Sequence, residues 1–267
     1  MDFLQTIAGE RLALVREDER RISTLELRAQ AEGMDARADA FAPALRRPAG
    51  APLRIIAEVK RQSPSAGMIR ETYDPVSIAA SYQEAGASAI SVLTEPGRFL
   101  GAIDDLARVR ERVTIPVLLK DFVVHERQLY EARVRGADAA LLIVAMLSPG
   151  QLRDYAAVMK AIHLEPLVEI LDDRDLDQAL ALDARVIGVN NRDLRTLAMR
   201  RDWAEGLIRE IPEDRVRVGE SGYSKREQIE ALERAGADAA LVGESLLKDG
   251  VPANALRRLL GREEMAP

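Results

Sequence analysis

Cysteine is absent from the 267 residues, which excludes disulfides and thiolate metal sites. Histidine is nearly absent: His125 and His163 are far apart and form no ligand spacing, so each is expected on a helix or the surface and no metal is expected. No apolar run approaches the roughly 20 residues of a membrane-spanning helix. The longest, Ala139 to Leu147, suits a buried strand instead. Positive charge is not in excess: 38 Lys and Arg stand against 44 Asp and Glu, a net charge of −6, so nothing draws the chain to nucleic acid or to an anionic membrane. Asp2 and Glu10 fall early and no signal-peptide core follows, which argues for a cytoplasmic protein. Lysine itself is scarce. Only Lys60, Lys120, Lys160, Lys225 and Lys248 break the use of Arg, and a retained Lys offers a compact, titratable ammonium.

Apolar residues make up 47% of the chain, enough for one large core. Residues 2 to about 35 carry helical spacing in Phe3, Leu4, Ile7, Leu12 and Val15, with a second helix around Leu25–Ala29. Ala40–Pro52 is Ala- and Pro-rich without a period and reads as a connector. We therefore divide the chain into an N-terminal helical extension with its connector, 1–50, and a main body, 51–267. In the body, short β-rich runs alternate with helical stretches: Arg54–Lys60, Ala89–Thr94, Val117–Lys120, Ala140–Val144, Pro166–Ile170, Val186–Asn190, Arg217–Glu220 and Ala240–Gly243. Such alternation means parallel strands with helical crossovers.

An internal echo supports closure. Ala-Gly-Ala-Ser-Ala at 85–89, Arg-Gly-Ala-Asp-Ala at 135–139 and Ala-Gly-Ala-Asp-Ala at 235–239 each end a helix, with glycines 50 and then 100 residues apart. Two βα units of about 25 residues fill that step, as in an eight-unit barrel of ordinary size. An open doubly wound sheet is the alternative, but no Gly-x-Gly-x-x-Gly fingerprint is present. The expected fold is α/β, a (β/α)8 TIM barrel with an N-terminal helical extension. Asp74-Pro75 and Ser148-Pro149 are expected helix starts, and Ser224-Lys225-Arg226-Glu227 has the spacing of a capping box.

Active sites of such barrels lie at the C-terminal strand ends. Those ends are polar here: Glu58 and Lys60, Thr94, Lys120, Glu169, Asn190, Glu220 with Ser221, and Gly243 with Ser245. Residues two apart on a strand share a face, so Glu58 and Lys60 form one acid–base pair. A surface ion pair explains any one of these charges; it explains five together poorly. Lysines and glutamates converging on one mouth suit a small anionic substrate and proton transfer. Glu220-Ser221-Gly222 and Gly243-Glu244-Ser245 follow the last two strands, where small residues let backbone N–H groups meet a phosphate.

With these motifs in view, the sequence resembles the indole-3-glycerol phosphate synthase family. The resemblance is carried by Ile-Ala-Glu-Val-Lys-Arg-Gln-Ser-Pro-Ser at 56–65, Ser-Val-Leu-Thr-Glu at 91–95 and Pro-Val-Leu-Leu-Lys-Asp-Phe at 116–122. Pro-Leu-Val-Glu-Ile at 166–170, Gly-Val-Asn-Asn-Arg-Asp-Leu at 188–194, Glu-Ser-Gly at 220–222 and Gly-Glu-Ser-Leu at 243–246 extend it through the chain in order. The resemblance implies a cofactor-free lyase of tryptophan biosynthesis that closes an indole ring on a phosphorylated substrate, releasing carbon dioxide and water. It implies Lys120 as general acid, Glu169 as base, Lys60 at the substrate carboxylate and as a second candidate acid, and Glu58 tuning the lysines. Asn190 would bind a hydroxyl or the ketone, Glu220 and Ser221 would shape the ribulose side, and Phe99, Phe122 and Leu141 would flank the anthranilate ring. Ser63, Arg192, Gly222, Gly243 and Glu244 would supply anion contacts.

Two positions depart from the family pattern. Ala102 stands where Ser is frequent, and Tyr223 follows Glu-Ser-Gly where an aliphatic residue is usual, so Tyr223 is expected to bear on phosphate affinity or ring fit. A sugar-phosphate isomerase barrel would account for the last two loops but not for the Glu58/Lys60 and Lys120/Glu169 sets. A non-catalytic barrel should have lost one of these charges. The expected partner is a small phosphorylated molecule, with the chain a monomer or a weak homodimer.

Overall fold

A computed structural model describes residues 3–36, 39–200, 202–248 and 250–262. Three helices lead in: α1 (Phe3–Asp18), α2 (Thr24–Glu32) and α3 (Phe41–Leu45). Then follow β1 (Arg54–Val59), a small hairpin of β2 (Gln62–Ser63) and β3 (Gly67–Met68), α4 (Pro75–Ala85), β4 (Ala89–Leu93), α5 (Ile103–Arg112), β5 (Val117–Lys120), α6 (Glu126–Val134) and β6 (Ala139–Ile143). The second half runs α7 (Pro149–Ala161), β7 (Glu165–Ile170), α8 (Asp173–Ala181), β8 (Val186–Asn190), α9 (Trp203–Ile208), β9 (Val216–Glu220), α10 (Arg226–Ala235), β10 (Ala239–Val242), α11 (Glu244–Lys248) and α12 (Pro252–Leu259). Strands β1 and β4–β10 pair in parallel, and β1 meets β10 to close an eight-stranded barrel.

The alternation of side chains along each strand divides the apolar residues into two cores. Ile56, Ala89, Leu118, Ala139, Leu141, Leu167, Val186, Val216, Val218, Ala239 and Leu241 fill the barrel interior. Their neighbours in sequence, such as Ile55, Ile90, Leu119, Val168 and Ile187, pack outward under the helices. The echoed glycines do what their position predicts: Gly86 and Gly236 close α4 and α10 in the left-handed region, and Gly136 holds φ 92° after α6. The aspartates of the echo fasten the barrel floor. Asp138 Oδ2 accepts from the Val117 amide at 2.8 Å, and Asp238 Oδ2 from the Arg217 amide at 3.0 Å, each pinning the start of the preceding strand.

The N-terminal segment closes both ends of the barrel. Leu4 and Ile7 of α1 join the interior cluster from the mouth, while Phe41, Ala42 and Leu45 of α3 join it from the floor. Arg46 then donates to the carbonyls of Glu213, Asp214 and Arg215, and Arg47 to that of Ala237. The connector expected over 40–52 thus contains a helix: five residues are too short to show a period, yet three of them are fully packed. The Ser-Pro-Ser loop is likewise the tip of a hairpin, in which Gln62 pairs with Met68 and Ser63 with Gly67.

Asp74 and Ser148 cap α4 and α7 as expected. At α10 the box is shifted by one residue. Gln228, not Glu227, accepts from the Ser224 and Lys225 amides at 2.8 and 3.0 Å, because Lys225 is the last non-helical residue. Helix α5 begins without a side-chain cap: Ala102 has the extended backbone of a cap residue but no oxygen to accept from the first turn. Replacing it restores that bond. Ala102→Ser is expected to stabilise the fold by about 1 kcal/mol, read as a rise in Tm of about 2–4 °C.

Candidate active site

The mouth of the barrel is built from ionisable residues that take the inward-facing turn at the strand ends. Lys60, one residue beyond β1, donates to Glu58 Oε1 at 2.5 Å. Lys120, the last residue of β5, lies 3.1 Å from Glu169 Oε2 on β7 and 3.4 Å from Glu220 Oε2 on β9. The Glu169 and Glu220 side chains are fully or almost fully shielded from solvent, and Lys120 is largely so. Burial works against the Lys120 ammonium, but Glu169, Glu220 and Glu58 outweigh it and raise its pKa above the ordinary lysine value. Burial, opposed by Lys120 and reinforced by Glu169, pushes the Glu220 carboxyl up to about 8. One lysine therefore stays charged between two acids, one of which burial pushes toward its neutral form.

Above this floor opens a cavity of about 890 Å³, a volume that includes its open mouth. One wall is apolar. The Phe99 and Phe122 rings stand 6.1 Å apart, Phe3 of α1 meets Phe122 edge-on at 6.1 Å, and Leu141 adds an aliphatic surface. Phe99 is placed by a buried carboxylate: Glu95 accepts from the amides of Gly97, Arg98 and Phe99. Helix α1 is tied over this wall by a buried bidentate pair, in which Arg11 donates to both oxygens of Asp121 at 3.0 and 2.8 Å. Asp121 also accepts from Thr94 Oγ1 at 2.9 Å and from the Phe122 amide at 2.7 Å.

The opposite wall is polar. Ser221 sits at φ 66°, uncommon for a residue with a side chain, and Gly222 follows at φ 87°. The turn is held by its carbonyls, which accept from Asn191 Nδ2 at 3.1 Å and Gln228 Nε2 at 3.2 Å. Asn190 Oδ1 accepts from the Arg192 amide at 2.9 Å, and Arg192 donates to the Leu197 carbonyl, which fixes both residues at the rim. Ser63 accepts from the Ala66 amide at 3.2 Å inside its hairpin.

A family model described as indole-3-glycerol phosphate synthase matches residues 4–259. The chain belongs to the indole-3-glycerol phosphate synthase family. An indole-3-glycerol phosphate synthase of Nocardioides sp. is 44% identical over 257 residues, covering 96% of this chain and 97% of its own. One from Sulfurimonas denitrificans is 47% identical over 208 residues, 78% of this chain and 79% of its own. Among solved structures, an N-acetylmannosamine-6-phosphate 2-epimerase from Clostridium perfringens superposes with a TM-score of 0.60 at 12% identity, covering 80% of this chain and 93% of that one. That likeness is one of fold alone.

The cavity wall contains Glu58, Lys60, Ser63, Phe99, Lys120, Phe122, Leu141, Asn190, Arg192, Glu220, Ser221, Gly222 and Glu244. Glu169 stands behind Lys120 rather than at the wall, and Gly243 packs against the Glu58 side chain. Tyr223 turns away from the cavity. It is buried in the outer core with its hydroxyl accepting from Asn191 at 3.1 Å, so it supports the neighbouring loop from behind rather than lining the cavity. Sequence reasoning missed Phe3, Arg11 and Asp121. The Lys-Asp-Phe motif held a signal for Asp121, a carboxylate between two expected site residues; Phe3 looked like any apolar helix position.

The raised pKa of Glu220 has a consequence for stability. In the unfolded chain this carboxyl loses its proton near 4.5, in the folded protein near 8. Between those values the folded state binds the extra proton, so raising the pH through the window weakens the fold. Tm measured across it is expected to fall more steeply for the native protein than for Glu220→Gln, which has no proton to lose.

Proposed function

We propose that this cluster carries out the decarboxylating ring closure of 1-(2-carboxyphenylamino)-1-deoxyribulose 5-phosphate to indole-3-glycerol phosphate. The observation that carries the assignment of roles is Lys120, a charged donor on the cavity wall held between two buried carboxylates beside a second lysine–glutamate pair. Lys120 donates a proton to the ketone oxygen as the aromatic carbon bearing the carboxylate attacks the carbonyl carbon. Breaking the carbon–carboxylate bond releases carbon dioxide and returns its electron pair to the ring system. The new hydroxyl then leaves as water with a proton from Lys60 or Lys120, and Glu169, 3.1 Å behind Lys120, takes the proton that restores aromaticity.

The remaining residues bind and orient. Lys60 meets the substrate carboxylate, with Glu58 holding its ammonium in place. Phe99, Phe122 and Leu141 clasp the anthranilate ring and exclude water, which strengthens every charge interaction beneath them. Asn190 and Glu220 reach the ribulose hydroxyls. Ser221, Gly222, Gly243 and Glu244, with Ser63 and Arg192, receive the phosphate at the polar wall and at the start of α11. The extension 1–50 serves the barrel 51–267, since its first helix closes over the site. Among the described residues no helix is long and apolar enough to cross a membrane. We assign the reaction to the cytoplasm, the protein acting alone or as a weak homodimer.

The test is indole fluorescence developing with the carboxyphenylamino substrate. Lys120→Met should lower kcat by about 10²–10⁴-fold, the range for losing a general acid, while the folded barrel retains substrate binding. Native protein that yields no indole product would overturn the assignment of the site, and an undiminished Lys120→Met would overturn the role of that lysine.

A further inference from the structure

Two glycines occupy inward positions at the level of the charged cluster, where a barrel ordinarily places branched apolar side chains. Gly188 on β8 is in register with Glu169 on β7 and with Val218 on β9. Its backbone is not in the left-handed region, so no dihedral angle requires glycine there. Space does. A side-chain carbon at Gly188 would lie 2.0 Å from Glu220 Oε1, 3.1 Å from Glu220 Cδ and 3.3 Å from a methyl of Leu167. The nearest of these contacts does not exist between real atoms, so the Glu220 carboxyl, which lines the cavity, would have to shift from its seat. It is 1% exposed and faces Lys120 across the barrel.

We propose that Gly188 is a positioning residue for the reaction: its missing side chain leaves the space in which the Glu220 carboxyl is seated as it shares Lys120 with Glu169. Glu220 pairs with Asn190, two residues past Gly188 on β8; its Oε1 lies over the Gly188 backbone, while its Oε2 lies 3.4 Å from Lys120 on β5. A glycine weakens a strand by its added freedom and lack of packing, and that cost is retained here at a position where Ala would otherwise serve. The same construction recurs on the other side. A side-chain carbon at Gly243, just past β10, would lie 2.4 Å from Glu58 Oε1, the oxygen that holds Lys60. Each lysine thus has a carboxylate partner seated in the gap left by a glycine, one within β8 and one just past β10.

The inference rests on the roles given above to Lys120 and Glu220, and a double-mutant cycle separates the two. Gly188→Ala, Glu220→Ala and the double variant are compared with the native protein for Tm, kcat, KM and the pH dependence of kcat. Gly188→Ala is expected to lower kcat by about 100-fold, the cost of a displacement of roughly 1 Å in a catalytic group, with KM near native. It should also shift the limb of the pH profile that Glu220 sets. In the Glu220→Ala background the same substitution should cost nothing further in kcat and should regain Tm, because the new methyl occupies the space the carboxylate left. That double variant keeps the test alive if Gly188→Ala alone fails to fold. Native kcat in Gly188→Ala, or equal losses of Tm in both backgrounds, would overturn the proposal. Full activity of Glu220→Ala alone would instead remove Glu220 from the reaction, and the Tm cycle would still decide whether the two positions share one space.

Discussion

Everything at this barrel mouth depends on how two buried ammonium groups are balanced. Lys60 and Lys120 lie at the ends of apolar strands, where an unpaired charge is prohibitively costly. Glu58 and Glu169 supply one carboxylate for each, and Glu220 adds a third acid that burial and its neighbour push toward the neutral form. With that proton in place the five groups sum to no net charge before substrate arrives. A substrate carrying both carboxylate and phosphate then meets preformed donors, and no counter-charge has to be expelled to admit it.

The rest of the fold keeps that cluster dry and still. Interior Leu, Ile and Val residues fill the barrel below it, and the aromatic wall of Phe3, Phe99 and Phe122 stands above. Asp121 joins the two requirements, since it follows Lys120 in the chain, sets the Phe122 amide and receives the guanidinium that holds α1 down. Its own carboxyl is raised by burial despite Arg11. The helix over the mouth and the acid inside it are therefore fastened to one strand end.

Much of this was legible in the chain, because strand alternation is a local rule. Glu58 and Lys60 share a face by their spacing alone, and the charged residues at the ends of apolar runs had to converge once the barrel was inferred. What escaped were features set by tertiary contact. Helix α3 has five residues with Pro43 in the middle, too few for periodicity, and only the barrel floor makes it a helix worth forming. The apolar face of α1 announced itself, but nothing in it said that Phe3 would meet Phe122. The α10 cap moved from Glu227 to Gln228 since the cap residue fell one position later than the motif suggested. No pattern in the chain supplied a reason for Gly188, for a glycine's reason is the neighbour it admits, and that neighbour is 32 positions further on in the chain.

The double seating of the N-terminal segment has a bearing on how the chain acquires its fold. That segment precedes the barrel in the chain, yet its anchors lie further on: Arg11 bonds Asp121, Arg46 the carbonyls at 213–215, and Arg47 that of Ala237. β1 must also wait for β10, pairing Arg54 with Ala239. Phe41 and Leu45 at the floor, and Leu4 and Ile7 at the mouth, share one interior cluster with residues as far along the chain as Ala239 and Leu241. Assembly of the barrel therefore waits on contacts of high sequence separation, which form slowly.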